Sequence, residues 1–129
     1  MVRSLVRSLM TRLRRFRAPG ARAERAASRW LRRRGHRILA RNLRAGRGEI
    51  DLVTREGEVL VFVEIRYRAA GLLAAELSVD RKKTRRFAEA VAFWRRRGAL
   101  REVRWRGDLI LVAPRGRGFV FSWRRGVLP

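Results

Sequence analysis

Residues Gly48–Arg68 read GEIDLVTREGEVLVFVEIRYR. Two apolar, β-branched runs, about Glu49–Thr54 and Val59–Tyr67, flank a Glu56-Gly57 pair, which is a hairpin pattern. The second run is long, apolar and β-branched, as a central strand should be. Alternation puts Glu49 and Asp51 on one face of the first strand, with Ile50 and Leu52 opposite. On the second strand Phe62, Glu64 and Arg66 share a face, and Val61, Val63, Ile65 and Tyr67 share the other. With Glu56-Gly57 as a two-residue turn, Arg55 faces Glu58, Asp51 faces Phe62 and Glu49 faces Glu64. Glu49, Asp51, Glu64 and Arg66 then converge on one face, and Glu56 and Glu58 are ordinary turn residues.

That gathering of acids is unusual in this chain. It has 34 Lys+Arg against 11 Asp+Glu, a net charge of +23, and five of the eleven acids fall between Glu49 and Glu64. Carboxylates in contact repel by about 4 kcal/mol at an effective dielectric near 20. Three things can offset this: a proton on one acid, an arginine clamp, or a divalent cation with oxygen ligands. Two acids, the Ile65 carbonyl and waters would suit Mg²⁺ or Mn²⁺. Acids on a strand face are also common salt-bridge partners, so the pattern by itself leaves these options open.

Outside the hairpin, Ala23, Ala26, Ala27, Trp30 and Leu31 recur at helical spacing, with Gly35 as the stop. A short strand follows around Ile38. Residues 69–79 read as a loop, with Leu72 and Leu73 tucked beneath it. Ser78 or Asp80 caps a second helix with an inner stripe of Phe87, Ala88, Val91 and Trp94, stopped by Gly98. Asp108–Ala113 and Phe119–Trp123 are the last strands, joined by a Pro-Gly turn. The order is α-β-β-β-α-β-β, an α/β (α+β) fold with a mixed sheet flanked by helices. Residues 21–123 form one domain and residues 124–129 a tail. Residues 1–20 are a basic amphipathic extension that lies outside the fold, with apolar residues at helical spacing between arginines. Such a segment suits anionic lipid, nucleic acid or a partner groove.

At 129 residues and 47% hydrophobic, the chain can bury a core. Without cysteine it has no disulfide framework or thiolate metal site, which fits the cytoplasm. With His36 as the single histidine, multi-His metal sites are set aside. No apolar stretch reaches the ~18 residues of a membrane span. A pI near 12 points to a polyanion partner. Because nearly all the positive charge is arginine, base composition could also produce it. The two lysines, Lys82 and Lys83, stand out against that background.

The hairpin GEIDLVTREG…VFVEIRYR, with the helix AERAASRWLRRRGHRIL, Asn42 and the Lys83 region, resembles the YraN-like family of small bacterial proteins. The resemblance runs from about Ala21 to Val112. It implies a restriction-endonuclease-like fold, shared with PD-(D/E)xK nucleases that include Holliday-junction resolvases. Their signature is an Asp, a Glu-x-Lys on the next strand, and an acid on the first helix. Carried over, Asp51 and Glu64 are metal ligands, Glu24 is the helix acid, and Glu49 is a further ligand or outer acceptor. Arg66 stands where the signature has Lys. An arginine stays protonated, so it can hold phosphate but cannot act as a base. Lys83, four residues before Phe87, is a second basic group for the site.

Two functions follow. One is a Mg²⁺- or Mn²⁺-dependent endonuclease acting on structured or branched DNA, with Asp51, Glu64, Arg66 and Lys83 catalytic. The other is a non-catalytic nucleic-acid-binding protein on the same scaffold. Both favour DNA over RNA. Arg47, Arg66, Arg68, Lys82, Lys83 and Arg86 are the candidate phosphate contacts, and a homodimer is implied by the resemblance. A membrane-surface role for residues 1–20 is a third option. Asp108 is expected to pair with Arg104 or Arg106, His36 to lie at the surface or a strand edge, and Trp94, Trp105 and Trp123 to pack in the core.

Overall fold

A computed structural model describes residues 20–128. The amphipathic segment assigned to residues 1–20 therefore lies outside the described residues, apart from Gly20. The elements are α1 (Ala21–Arg33), β1 (Arg37–Ala45), β2 (Gly48–Glu56), β3 (Val59–Tyr67), α2 (Leu72–Leu77), α3 (Arg81–Arg95), a 3₁₀ turn (Gly98–Glu102), β4 (Trp105–Arg115) and β5 (Gly118–Leu128). The five strands form one mixed sheet in the order β1-β2-β3-β4-β5. Only β3 and β4 run parallel, because the two helices between them carry the chain back across the sheet.

Each face of the sheet has its own apolar layer. Ala23, Ala27 and Leu31 of α1 pack with Leu52, Val61, Val63, Ile65, Ile110 and Val112. On the other face Phe87, Ala90, Val91 and Trp94 of α3 pack with Ile50, Val53, Leu60, Phe62 and Leu111. β3 is covered on both faces, which explains its continuous apolar run from Val59 to Val63. Asp80 caps α3: its carboxylate accepts from the Lys83 N–H at 2.8 Å.

Several expectations need correction. The segment at 69–79 contains the short helix α2, in which Leu72 packs on the core while Leu73 is 68% and Leu77 76% exposed. Two leucines of so short a helix turn away because only one face of it meets the sheet. In α3 the inner stripe includes Ala90 rather than Ala88. β1 is nine residues long, and β5 continues past Trp123 to Leu128, which is buried opposite Gly107.

The hairpin register also differs. Gly57, with φ +59, is the first turn residue, so Glu56 pairs with Val59 and Phe62 faces Val53 rather than Asp51. The partner shifts by two residues, so no side chain of β3 changes face. In β2, alternation fails at the site itself. Ile50 and Val53 lie in the α3 layer, three residues apart, while Leu52 lies in the α1 layer. The neighbouring strand does the same between Ala40 and Leu43, and there Asn42 takes φ +48, a left-handed conformation that asparagine tolerates.

His36 and Glu56 are not peripheral. His36 is 3% exposed; its Nδ1 lies 2.8 Å from Thr54 Oγ1 and its Nε2 3.2 Å from Glu56 Oε2. Glu56 also accepts from Arg106 at 2.9 Å and Arg125 at 2.7 Å. Asp108, fully buried, accepts from Arg106, from Trp123 Nε1 at 2.8 Å and from the Gly126 N–H at 2.8 Å. Its pairing with Arg106 and its structural role are as expected from the sequence. This network ties the ends of β1, β2, β4 and β5 together, and its buried charges are paired as they must be.

The close approach of β2 to α3 is set by a missing side chain. A Cβ on Gly48 would lie 2.1 Å from the Arg86 carbonyl oxygen, whereas one on Gly118 would meet nothing nearer than 3.9 Å. Gly48→Ala is expected to lower stability by about 1–3 kcal/mol through overpacking. Gly118→Ala should stay within about 0.5 kcal/mol of wild type. Urea denaturation of both variants checks this, and equal stabilities would contradict the packing argument.

Candidate functional site

β2 and β3 part company at Asp51. Their ladder ends at the Leu52–Val63 pair. Beyond it the Ile65 N–H donates to Asp51 Oδ2 at 2.7 Å, so a carboxylate takes the place of a backbone partner. This gap opens at one end of the sheet, beside the first turn of α1. A pocket of about 250 Å³ is formed there by Gly20, Glu24, Asp51, Ile65, Arg66, Tyr67 and Arg68.

The pocket is electrostatically loaded. Burial raises Asp51 to about 8, against the favourable hydrogen bond from Ile65, and the charges of Glu24, Glu64 and Glu49 add to the rise. Glu24 is raised to about 7, first by burial and then by Glu49. Burial also raises Glu64, opposed by Arg66 and Lys83 and reinforced by Asp80. Asp51 is thus the acid on which the charges of Glu24, Glu49 and Glu64 all act.

They do not share one cavity. Glu64 is 6% exposed and its Oε1 accepts from Arg66 Nη2 at 2.6 Å. Its Oε2 is buried with no hydrogen-bond partner, as is Arg66 Nε. Glu49 lies at the surface, with Arg44 Nε 3.7 Å from its Oε2. The predicted side-by-side placement of Glu49 and Glu64 falls with the register. Among the described residues, no three of the His, Asp and Glu side chains are grouped so that they could hold an ion between them.

Of the basic candidates, Arg66 and Arg68 line the pocket, and Arg68 Nη1 also donates to the Tyr67 carbonyl at 2.7 Å. Lys83 is exposed on the first turn of α3, and its charge reaches Glu64. Lys82 is exposed beside it, Arg47 is exposed in the β1–β2 turn, and Arg86 is half-buried behind Gly48. None of these three lines the pocket. Sequence reasoning missed Gly20 and Tyr67 as pocket walls, the Ile65 N–H as a partner, and Asp80 as a charge on Glu64. Only Asp80 carried a signal, as a helix cap.

A second constellation deserves exclusion. Thr54, His36 and Glu56 form a hydroxyl–imidazole–carboxylate series. Thr54 is fully buried, so no substrate can reach its hydroxyl.

The Asp51 carboxyl holds its proton in the folded chain to about pH 8 but ionises near 3.9 when unfolded. The native state thus binds the extra proton between these values, and stability is lost as pH rises through that window. Asp51→Asn removes the effect. Its thermal midpoint relative to wild type, in chelator, should climb steadily from pH 4.5 to pH 8. The buried His36 acts in both proteins and cancels. A pH-independent difference would refute the buried-acid account.

Residues 23–112 match the model of an uncharacterised protein family, UPF0102. The chain is 42% identical over 107 residues to a UPF0102 protein of Maricaulis maris, covering 81% of this chain and 84% of that one. It is 50% identical over 78 residues to a UPF0102 protein of Anaeromyxobacter dehalogenans, covering 60% and 58%. It is 42% identical over 90 residues to the UPF0102 protein YraN of Salmonella arizonae, covering 67% and 69%. The matched region spans both strands of the acidic hairpin, α1 with Glu24, and α3 with Lys83, so the chain belongs to the UPF0102, or YraN-like, family.

Proposed function

We propose that this protein is a nucleic-acid-binding protein whose acidic pocket is a divalent-metal-dependent endonuclease site. DNA, structured or branched, is its preferred substrate over RNA, and it acts in the cytoplasm. The observation that carries this reading is the convergence of Glu24 and Asp51 on one pocket, with both carboxyls raised by burial and by neighbouring acids, in a chain of net charge +23. Such a site favours a cation over two bare carboxylates, and the surrounding positive charge favours a polyanion. Among the described residues no helix is long and apolar enough to cross a membrane.

The donor set fits Mg²⁺ or Mn²⁺. Such ions bind through one or two carboxylates and keep several waters, so three grouped side chains are not required. Asp51 and Glu24 would be the pocket ligands; Glu64, whose charge is felt at Asp51 and whose Oε2 has no hydrogen-bond partner, would be the further acid, and Glu49 an outer acceptor. The ion supplies Lewis acidity and neutralises charge developing on the phosphoryl group. Arg66 and Arg68 hold phosphate oxygens at the pocket wall. Arg66 cannot take a proton. Lys83 keeps Glu64 partly charge-compensated from α3.

One observation favours a non-catalytic reading on the same scaffold: Arg66 already occupies Glu64 Oε1 at 2.6 Å, so an arginine stands where a cation would sit. The two readings, and the homodimer implied with them, separate experimentally. Calorimetric Mn²⁺ titration should show a site that is lost in Asp51→Asn. Wild type in Mg²⁺ or Mn²⁺ should cleave at least one of duplex, single-stranded or four-way-junction DNA, and Asp51→Asn should cleave at least a hundredfold slower on the order typical of lost catalytic groups. Binding without metal uptake or product, weakening with log K slope about −0.9 per phosphate against log salt, would establish the non-catalytic reading instead. Sedimentation of the same samples reads the oligomeric state.

A further inference from the structure

We propose that a second cavity, next to the acidic pocket and walled by Tyr67 and Phe119, receives one unpaired nucleobase. The inference rests on the nucleic-acid reading above and deepens it: the substrate class becomes single-stranded or locally unpaired nucleic acid.

The cavity measures about 340 Å³. It shares Gly20 and Tyr67 with the acidic pocket, so these two residues form the wall between them. A nucleotide whose phosphate lies at Glu24 and Asp51 therefore has its neighbouring base within reach of Tyr67. The composition of the walls suits a base. Tyr67 and Phe119 stand edge to face, with ring centroids 6.1 Å apart. Ala21 and Pro114 add apolar surface, and Arg22 and Arg117 are exposed at the same cavity. No acid is among the lining residues, in contrast to the pocket next door. Aromatic walls with flanking arginines are the arrangement that stacks a base while holding the phosphates on either side of it.

Size argues for a single base. At about 340 Å³ the cavity is near the lower end of the ~300–1,000 Å³ range of small-molecule sites. A base within a duplex is stacked and paired, and cannot enter without being turned out of the helix. The other aromatic groups on this face are less suited. Arg34 lies over Trp30 at 3.9 Å and Arg125 over Trp123 at 4.6 Å, and Trp30 is stacked on Phe121. Their faces are already used.

The test compares a fluorescent thymidine oligomer with an abasic sugar-phosphate oligomer of the same length, at fixed salt and in chelator. The base-containing strand should bind at least about fivefold more tightly, as expected for stacking. Phe119→Ala should bring it to the abasic level without changing abasic binding. Because Phe119 also packs on the α1 layer, Ala21→Leu serves as a second variant that fills the cavity and removes nothing from the core. Equal wild-type binding of the two oligomers, or an unchanged ratio in both variants, overturns the base subsite while the nucleic-acid reading stands. Failure of wild type to bind either oligomer, or any duplex, overturns the nucleic-acid reading itself.

Discussion

The hydrogen bond from the Ile65 N–H to the Asp51 carboxylate is the interaction on which the candidate site depends. In a regular hairpin that N–H would meet a carbonyl of the neighbouring strand. Here a side chain takes the bond, and the strands separate without leaving a buried donor unpaired. The kink at Asn42 in β1 and the lost alternation at Asp51 in β2 are the backbone changes that make room for it. The pocket at the end of the sheet exists because of this substitution of a carboxylate for a backbone oxygen.

The energetic cost is carried by ionisation. A buried carboxylate near other acids limits its charge by keeping its proton to higher pH, as Asp51 and Glu24 do, or by pairing, as Glu64 does with Arg66. At the far end of the same strands, Glu56 and Asp108 are paired with Arg106 and Arg125. The contrast separates two classes of acid in one small protein. Those of the His36–Glu56–Asp108 network are matched by arginines and join strands. Those near Asp51 are under-compensated, and that is the state expected of a site that takes a cation or a ligand.

Much of this was legible in the sequence. The apolar period of Ala23–Leu31 located α1, Asp80 located the start of α3, and the run Val59–Tyr67 located the central strand. Glu24, Asp51 and Arg66 were named from the hairpin and the family resemblance, and they do line one pocket. What misled was the turn. Moving it by one residue changed every partner across the hairpin, and the assumption of strict alternation placed Ile50 and Leu52 in the same layer. His36 and Glu56 looked peripheral because their partners, Thr54, Arg106 and Arg125, are brought in by other strands.

The sequence by itself determined α1, α3 and the five strands, the central position of β3 and the concentration of acids in one hairpin, because these follow from local period, caps and composition; the short helix α2 was not among them. Only the tertiary structure decided which acids meet. Glu24 reaches Asp51 through the packing of α1 on the sheet, Glu64 turns to Arg66 on the other face, and Glu49 stays at the surface. Those distances depend on a break in strand alternation and on the docking of helices remote in the chain. Neither has a local signature, since each is a balance of packing and hydrogen bonding settled only when the whole sheet has formed.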